Sequence, residues 1–448
     1  MIPHNVNIFT GEAHQWYHGI SEKYGPIARV GPTSLITSNA NVWAQINTKP
    51  GYKRSKWYFE ACRYSGPKNL ELYDALLLDL LHLIRTEYLS HPSTSSGRII
   101  PMDLSKKIQF LTLYVISAVG MGRGLRHAGR RHRPLRALER AGAAHGRRLL
   151  GARAQRAPLT GRWIAPKATD QSRFGALMGA CFRVVDERRR DMLASFVRHR
   201  LEGDELKSEA LETLIAGSDT TAGALRVIIL YVMGNKSVYV KLQEEVDEAV
   251  RDGRMGADGE GVISYAVATQ LPYLQAVIRE GLRVFPPVRN ILPKDVPAGG
   301  DAVMVDGKPV FLPGGVDNGY SALAMHRDNM VYGEDADLFR PERWFEPNQN
   351  KLSAMIKANE LTFGHGRSQC LGKNVAQMEL HNMKTFFELF RYFDRATVDP
   401  AKPWSIMNTL GIVLIHDTWV QVTTRSAEGE WELGKGSPSA HCVSTHSP

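Results

Sequence analysis

The stretch FGHGRSQCLGKN, Phe363 to Asn374, sets one cysteine among three glycines and an arginine, just ahead of a helical pattern. Free cysteines usually lie in cores as small hydrophobes; Cys370 lacks that setting. The reactive form of cysteine is the thiolate, which needs positive charge, backbone N–H groups or a helix N-terminus nearby. Gly364, Gly366 and Gly372 let backbone approach the sulfur or a flat ligand closely. A helix beginning near Leu371 directs the positive end of its dipole at Cys370. Two readings stand: an inert cysteine in a glycine turn, or a metal-binding thiolate.

Three segments upstream place polar residues in apolar surroundings. AGSDTT, Ala216 to Thr221, interrupts a long helical pattern spanning Asp204 to Asn235. Glycine, serine and threonine are poor helix formers, and hydroxyls there bond back to carbonyls and bend the helix. A tolerated kink is the plain reading. EGLR puts Glu280 and Arg283 three apart, on one helix face where they can pair. Most such pairs are surface bridges worth little, but this helix is largely apolar and ends at Pro286-Pro287. FRPERW follows, with Pro341, Glu342, Arg343 and Trp344.

In the order 216–221, 280–283, 341–344 and 363–372, these segments resemble the signature motifs of the cytochrome P450 monooxygenases. Phe363, Gly366, Cys370 and Gly372 fit the family's cysteine loop, and Ala216, Gly217, Asp219 and Thr220 fit its helical motif. One loop position departs: Ser368 stands where an arginine is expected, and Arg367 lies one place earlier. The resemblance covers roughly residues 165 to 425 and reaches ISEKYGPIARVGP near the N-terminus. The loop form is similar to the pisatin-demethylase-like branch of fungal members.

The resemblance implies a mainly α fold with a smaller β region, incomplete in its N-terminal third. It implies one domain over 1–425, with a polar, disordered tail at 426–448. It implies haem b (iron protoporphyrin IX) on the Cys370 thiolate, bordered by Phe363, Gly366, Arg367, Gly372, Ala216 and Gly217. Gly217 is expected to let the cofactor and O2 approach the helix. Asp219 and Thr220 become the proton-carrying catalytic pair. Glu280, Arg283 and Arg343 become a buried network behind the loop. The reaction implied inserts one oxygen atom from O2 into a small apolar organic substrate, in secondary metabolism or detoxification. Electrons would come from NADPH through a flavoprotein reductase, and Lys373, Lys384 and Arg391 lie on the segment expected to face that acidic partner. A monomer is expected. Eukaryotic members sit at the endoplasmic reticulum membrane through an N-terminal anchor; this chain shows no anchor and is expected to be cytoplasmic as given. Two other classes remain open. A haem-thiolate isomerase or peroxide-driven enzyme would have less need of Asp219 and Thr220. A catalytically impaired haem-fold remnant or binding protein would explain the departures below.

Those departures are two. The family's third helix carries a Trp-x-x-x-Arg that contacts a haem propionate, and neither Trp43 nor Trp57 is followed by arginine at that spacing. A deletion near 60–66 accounts for this. Residues 122–157 are rich in arginine, alanine and glycine: from Met121 to Thr160 there are eleven arginines, no lysine and one acid, Glu139. The whole chain of 448 residues carries a formal charge of +10, so this segment accounts for nearly all of it. No aromatic interleaving or nucleic-acid motif accompanies the charge, so no nucleic-acid partner is expected, and a solvated loop or an altered reading frame explains it better. At 43% hydrophobic and 23% charged, the chain is of globular composition. Its four scattered cysteines imply no disulfide framework. AVMVDGKPVFL predicts a hairpin turning at Asp306-Gly307, and GIVLIHDTWVQVTT predicts another near the end.

Overall fold

A computed structural model describes residues 12–54, 80–90, 99–121, 200–254, 263–289, 292–381, 389–390, 393–409 and 412–425, with four positions between 181 and 196. The arginine-rich segment, the region around 60–66, Trp57, Lys384, Arg391 and the tail expected from 426 lie outside the described residues. The described part is mainly helical with smaller sheets.

Helix α1 (Ala13–Tyr24) stops at Gly25. Strands β1 (Ile27–Arg29) and β2 (Ser34–Thr37) pair antiparallel across the turn marked by Gly31-Pro32. Helix α2 (Ala40–Thr48) starts at Asn39, whose side chain accepts from the N–H groups of Asn41 and Val42. Strand β3 (Lys53–Arg54) follows, and later β4 (Met102–Asp103) leads into helix α3 (Leu104–Met121). Helix α4 (Gly203–Gly234) is 32 residues long, with Asp204 and Glu205 in its first turn where the dipole favours acids. Helix α5 (Lys236–Arg251) is capped by Asn235, and helix α6 (Pro272–Val284) has proline at its start and ends before Pro286-Pro287.

Strands, then helices, then strands follow. They are β5 (Lys294–Asp295), β6 (Asp301–Val305), β7 (Lys308–Leu312), β8 (Asp317–Tyr320), helix α7 (Gln349–Glu360), helix α8 (Lys373–His381), β9 (Phe393–Thr397), β10 (Ser405–Thr409), β11 (Ile412–His416) and β12 (Trp419–Thr424). The largest sheet among the described residues has the order β1-β2-β8-β5-β3, with β2 and β8 parallel. The β6–β7 hairpin turns at Asp306 and Gly307, whose φ values are 49° and 78°. Both turn residues are left-handed, the geometry that the Asp-Gly pair favours.

The second expected hairpin does not form. β11 pairs with β10, whereas β12 pairs with β9 and β4. Between them Asp417 takes φ 55°, and Thr418 is buried with its hydroxyl bound by Ser105 at 2.7 Å. The segment therefore passes from one sheet to another instead of folding back on itself.

The main core joins four helices to a sheet. Ile108, Leu111 and Val115 of α3 meet Leu225, Ile228 and Val232 of α4 in one buried cluster. Leu242 and Val246 of α5, Leu274 and Val277 of α6, and Val420 and Val422 of β12 complete it. Each buried aliphatic side chain contributes about 1.5–3 kcal/mol. Helices α4 and α6 approach closely because Gly281 has no side chain: a Cβ there would lie 2.2 Å from Ile228 Cγ1. Leu380 of α8, the helix that follows the cysteine loop, belongs to the same cluster.

Candidate active site

The cysteine loop is pinned by its own backbone. Cys370 N–H donates to Phe363 O at 2.6 Å, Gly364 N–H to Leu361 O at 2.8 Å, and Gln369 N–H to Gly366 O at 3.1 Å. Two of its glycines are obligatory. Gly364 takes φ +72° and a Cβ would meet Ser368 O at 2.9 Å; Gly366 takes φ +58° and a Cβ would meet Asn47 O at 2.7 Å. Gly372 differs, since its nearest neighbour would be Cys370 Sγ at an ordinary 3.8 Å. Nothing among the described residues demands glycine there.

Cys370 is exposed, as are Leu371 and Gly372 beside it. Enough protein surrounds the thiol that desolvation still raises its pKa, while the N–H groups of Gly372 and Lys373 and the Lys373 charge pull it down. These donors come from the first residues of α8 and the turn before it. Their direction is the one that stabilises a thiolate.

On α4 the polar residues split between two faces. Ala216 is exposed and Thr220 half-buried, and the Thr220 hydroxyl donates to Ala216 O at 2.7 Å. Asp219 is buried on the other side, where Gln109 Nε2 donates to its carboxylate at 2.7 Å. Gln109 Oε1 in turn accepts from Arg226 at 2.8 Å, and Arg226 Nε reaches Ser105 O at 3.1 Å. Successive helix residues point about 100° apart, so Asp219 faces α3 while Thr220 faces the accessible side. Gly217 also owes its identity to α3: a Cβ would lie 2.4 Å from Ile116 Cγ1. Helix packing by itself therefore demands glycine at this position.

Glu280 is fully buried with every lone-pair direction used. Arg283 donates to both its oxygens at 2.9 and 2.8 Å, Arg343 Nε to Oε1 at 3.0 Å, and Trp344 Nε1 to Oε2 at 3.0 Å. Arg340 N–H adds a fifth bond to Oε1 at 2.8 Å. The arginines also tie down carbonyls: Arg283 binds His326 O and Leu338 O, each at 2.8 Å, and Arg343 binds Tyr332 O at 2.6 Å. His326 connects this network to the loop, since its Nε2 lies 3.1 Å from the Thr362 hydroxyl, next to Phe363. Burial beside Arg283 pushes the His326 pKa down to about 3.

Two residues depart from the expectations for this region. Lys373 pairs with Glu360 at 3.2 Å and lies 5.9 Å above the Phe363 ring centroid. It braces the loop through these two contacts. Glu379, not singled out by its spacing, is buried on α8, and neither carboxylate oxygen completes a hydrogen bond among the described residues. Burial raises its pKa to about 8, partly offset by the nearby Thr221 hydroxyl of α4. The only sequence signal was an acid at a position where α8 turns its apolar side inward, with Leu380 beside it.

A mainly helical fold with smaller sheets, an exposed cysteine in a glycine loop and a buried glutamate–arginine network agree with the class of protein that the sequence motifs resemble. The sequence model of the family Cytochrome P450 matches residues 171–421. The chain is 34% identical to cytochrome P450 monooxygenase ABA1 of Pyricularia oryzae, over 94% of this chain and 89% of the relative. It is 30% identical to cytochrome P450 monooxygenase aba1 of Botryotinia fuckeliana, over 93% and 87%. Cytochrome P450 monooxygenase abl1 of Leptosphaeria maculans shares 29%, over 90% and 77%. The chain belongs to the cytochrome P450 family and is an enzyme of that type. Its family is that of haem-dependent oxidoreductases that use O2, an organic substrate and a redox partner.

Proposed function

We propose that the chain is a haem-thiolate monooxygenase of fungal secondary metabolism that inserts one oxygen atom from O2 into a small apolar organic substrate. The observation that carries this is Cys370: an accessible sulfur toward which two backbone N–H groups are directed. The residues fit haem b. A lone thiolate ligand suits an iron whose other positions are filled by a macrocycle, and the exposed Leu371 and Ala216 offer apolar surface to a flat ring. When bound, the haem supplies O2 activation, with the thiolate pushing electron density toward O–O cleavage. Electrons come from NADPH through a flavoprotein reductase, and the chain acts as a monomer.

The chain's own residues have separate tasks. Cys370 would anchor the iron, and the N–H groups of Gly372 and Lys373 favour the thiolate against the desolvation that raises its pKa. The Glu280 network and the His326–Thr362 contact hold the loop's backing still. Thr220 holds a proton at its hydroxyl on the accessible face of α4, and must release Ala216 O to deliver it. Asp219 supports this by fixing α4 against α3 through Gln109. The test is the absorption spectrum of the expressed chain in its ferrous–CO form. A red-shifted Soret band is expected, and Cys370→Ala should abolish it. Folded protein without haem, or a band that survives the substitution, rejects the assignment.

A further inference from the structure

Arg289 follows Pro286-Pro287 after the end of α6, and its charge has no counter-ion among the described residues. It is 7% exposed, makes no hydrogen bond or ion pair with any of them, and holds its Nε sealed without an acceptor. Its guanidinium lies 3.8 Å from the centroid of the Phe285 ring. That contact uses the flat face of the guanidinium and answers part of the charge. The N–H groups, which lie around the rim, stay unused. Burial, then the charge of Arg327, pushes its pKa down to about 9, and only Tyr231 acts in the opposite sense. Arg327 is itself answered, since its Nε lies 3.3 Å from Asp337 Oδ1. One positive charge, not two, therefore lacks a partner. A buried charge left in that state is costly.

The surroundings are aromatic. Tyr231, in the last turn of α4, stacks on Phe339 with centroids 4.9 Å apart and meets Trp404 edge-on at 6.1 Å. Phe285 is buried in one cluster with Val413 and Ile415 of β11, and Tyr231 and Trp404 pack against it while half-buried. The Tyr231 hydroxyl makes no hydrogen bond with a described residue. Burial raises its pKa, whereas Arg327, Arg289 and Arg283 pull it down, so the hydroxyl and the Arg289 rim address the same region. This region is apart from the cysteine loop: Tyr231 lies eleven residues along α4 from Thr220, about 16 Å at the helical rise. We propose that Arg289 and Tyr231 form an accessory binding site for a small aromatic carboxylate. One unanswered guanidinium matches a single negative charge, which favours a carboxylate over a phosphate. The rim of Arg289 can give a carboxylate two parallel N–H bonds, the Tyr231 hydroxyl a third, and the half-buried Trp404 offers ring surface to an aromatic body.

The test uses the full chain as wild type, Arg289→Met and Tyr231→Phe. Calorimetric titrations use benzoate, benzamide (the same shape without the charge) and inorganic phosphate. Wild type should bind benzoate at one site, at least about tenfold more tightly than benzamide or phosphate. Arg289→Met should weaken benzoate by at least about tenfold and remove its preference over benzamide. Tyr231→Phe keeps the stacked ring and should weaken benzoate about fivefold. Benzoate should raise the thermal midpoint of wild type and not that of Arg289→Met. In haem-loaded protein the Soret band should stay in place as benzoate binds. No saturable benzoate binding, benzamide or phosphate bound as tightly, or full affinity in Arg289→Met overturns the site. A Soret shift that Arg289→Met leaves unchanged puts benzoate at the iron and overturns it too. Should Arg289→Met fail to fold, Tyr231→Phe decides alone: the fivefold loss supports the site, and unweakened binding overturns it.

Discussion

Glu280 shows how a single carboxylate can hold a structure that Coulomb attraction alone would not justify. A buried ion pair often breaks even against its desolvation cost, yet removing one partner strands the others. Here one carboxylate accepts from Arg283, Arg343, Trp344 and the Arg340 backbone. Glu280→Gln keeps the shape and removes the charge, leaving two buried guanidiniums facing an amide. We expect a loss of about 3–5 kcal/mol in chemical denaturation. Arg343→Lys should also destabilise, because an ammonium cannot bind Glu280 and the Tyr332 and Asp335 carbonyls together. By contrast Gly372→Ala should leave the fold's stability nearly unchanged, since the added methyl meets only ordinary contact.

The pairing of α3 with α4 depends on a missing side chain. Gly217→Ala forces a methyl to 2.4 Å from Ile116 Cγ1 and 2.6 Å from its Cδ1. Overpacking of this kind costs about 1–3 kcal/mol. Ile116→Ala costs stability too, by leaving a cavity, but together the two should be far less than additive. A double-mutant cycle by urea unfolding measures that coupling; strict additivity would show that the helices do not meet at this point. The helix itself was legible in the sequence, from acids at its start to Gly234-Asn235 at its end, because periodicity and capping are local signals. So was the turn at Asp306-Gly307. The fate of β11 and β12 was not, since strand partners lie far away in sequence: β12 takes Met102 and Asp103 from the other end of the chain. The site divides in the same way. Cys370, Glu280, Arg283 and Arg343 stand in contiguous motifs. Gly217's packing role, Lys373's bond to Glu360 and the aromatic setting of Arg289 depend on approaches that only the folded chain creates.

Two buried ionisable groups behind the loop set opposite limits on the pH range of the whole fold. His326 has its pKa pushed from an ordinary 6.5 down to about 3. Its folded form therefore binds fewer protons than its unfolded form, and the stability it allows is full above about 6.5 and lost as pH falls toward 3. Glu379 is the reverse: raised from 4.5 to about 8, it favours the folded state fully below 4.5, and that advantage is lost as pH rises through 8. Between 4.5 and 6.5 the two slopes cancel, one proton against one. Their combined contribution should give a plateau there, falling on both sides. Unfolding midpoints measured across pH should show it. Glu379→Gln should flatten the alkaline limb and leave the acid one, whereas His326→Gln should flatten the acid limb alone. Each limb would then report one wall of the site, α8 against α4 for Glu379 and the Glu280 network against the loop for His326. A limb that persists after its own substitution would place the titrating group elsewhere in the core.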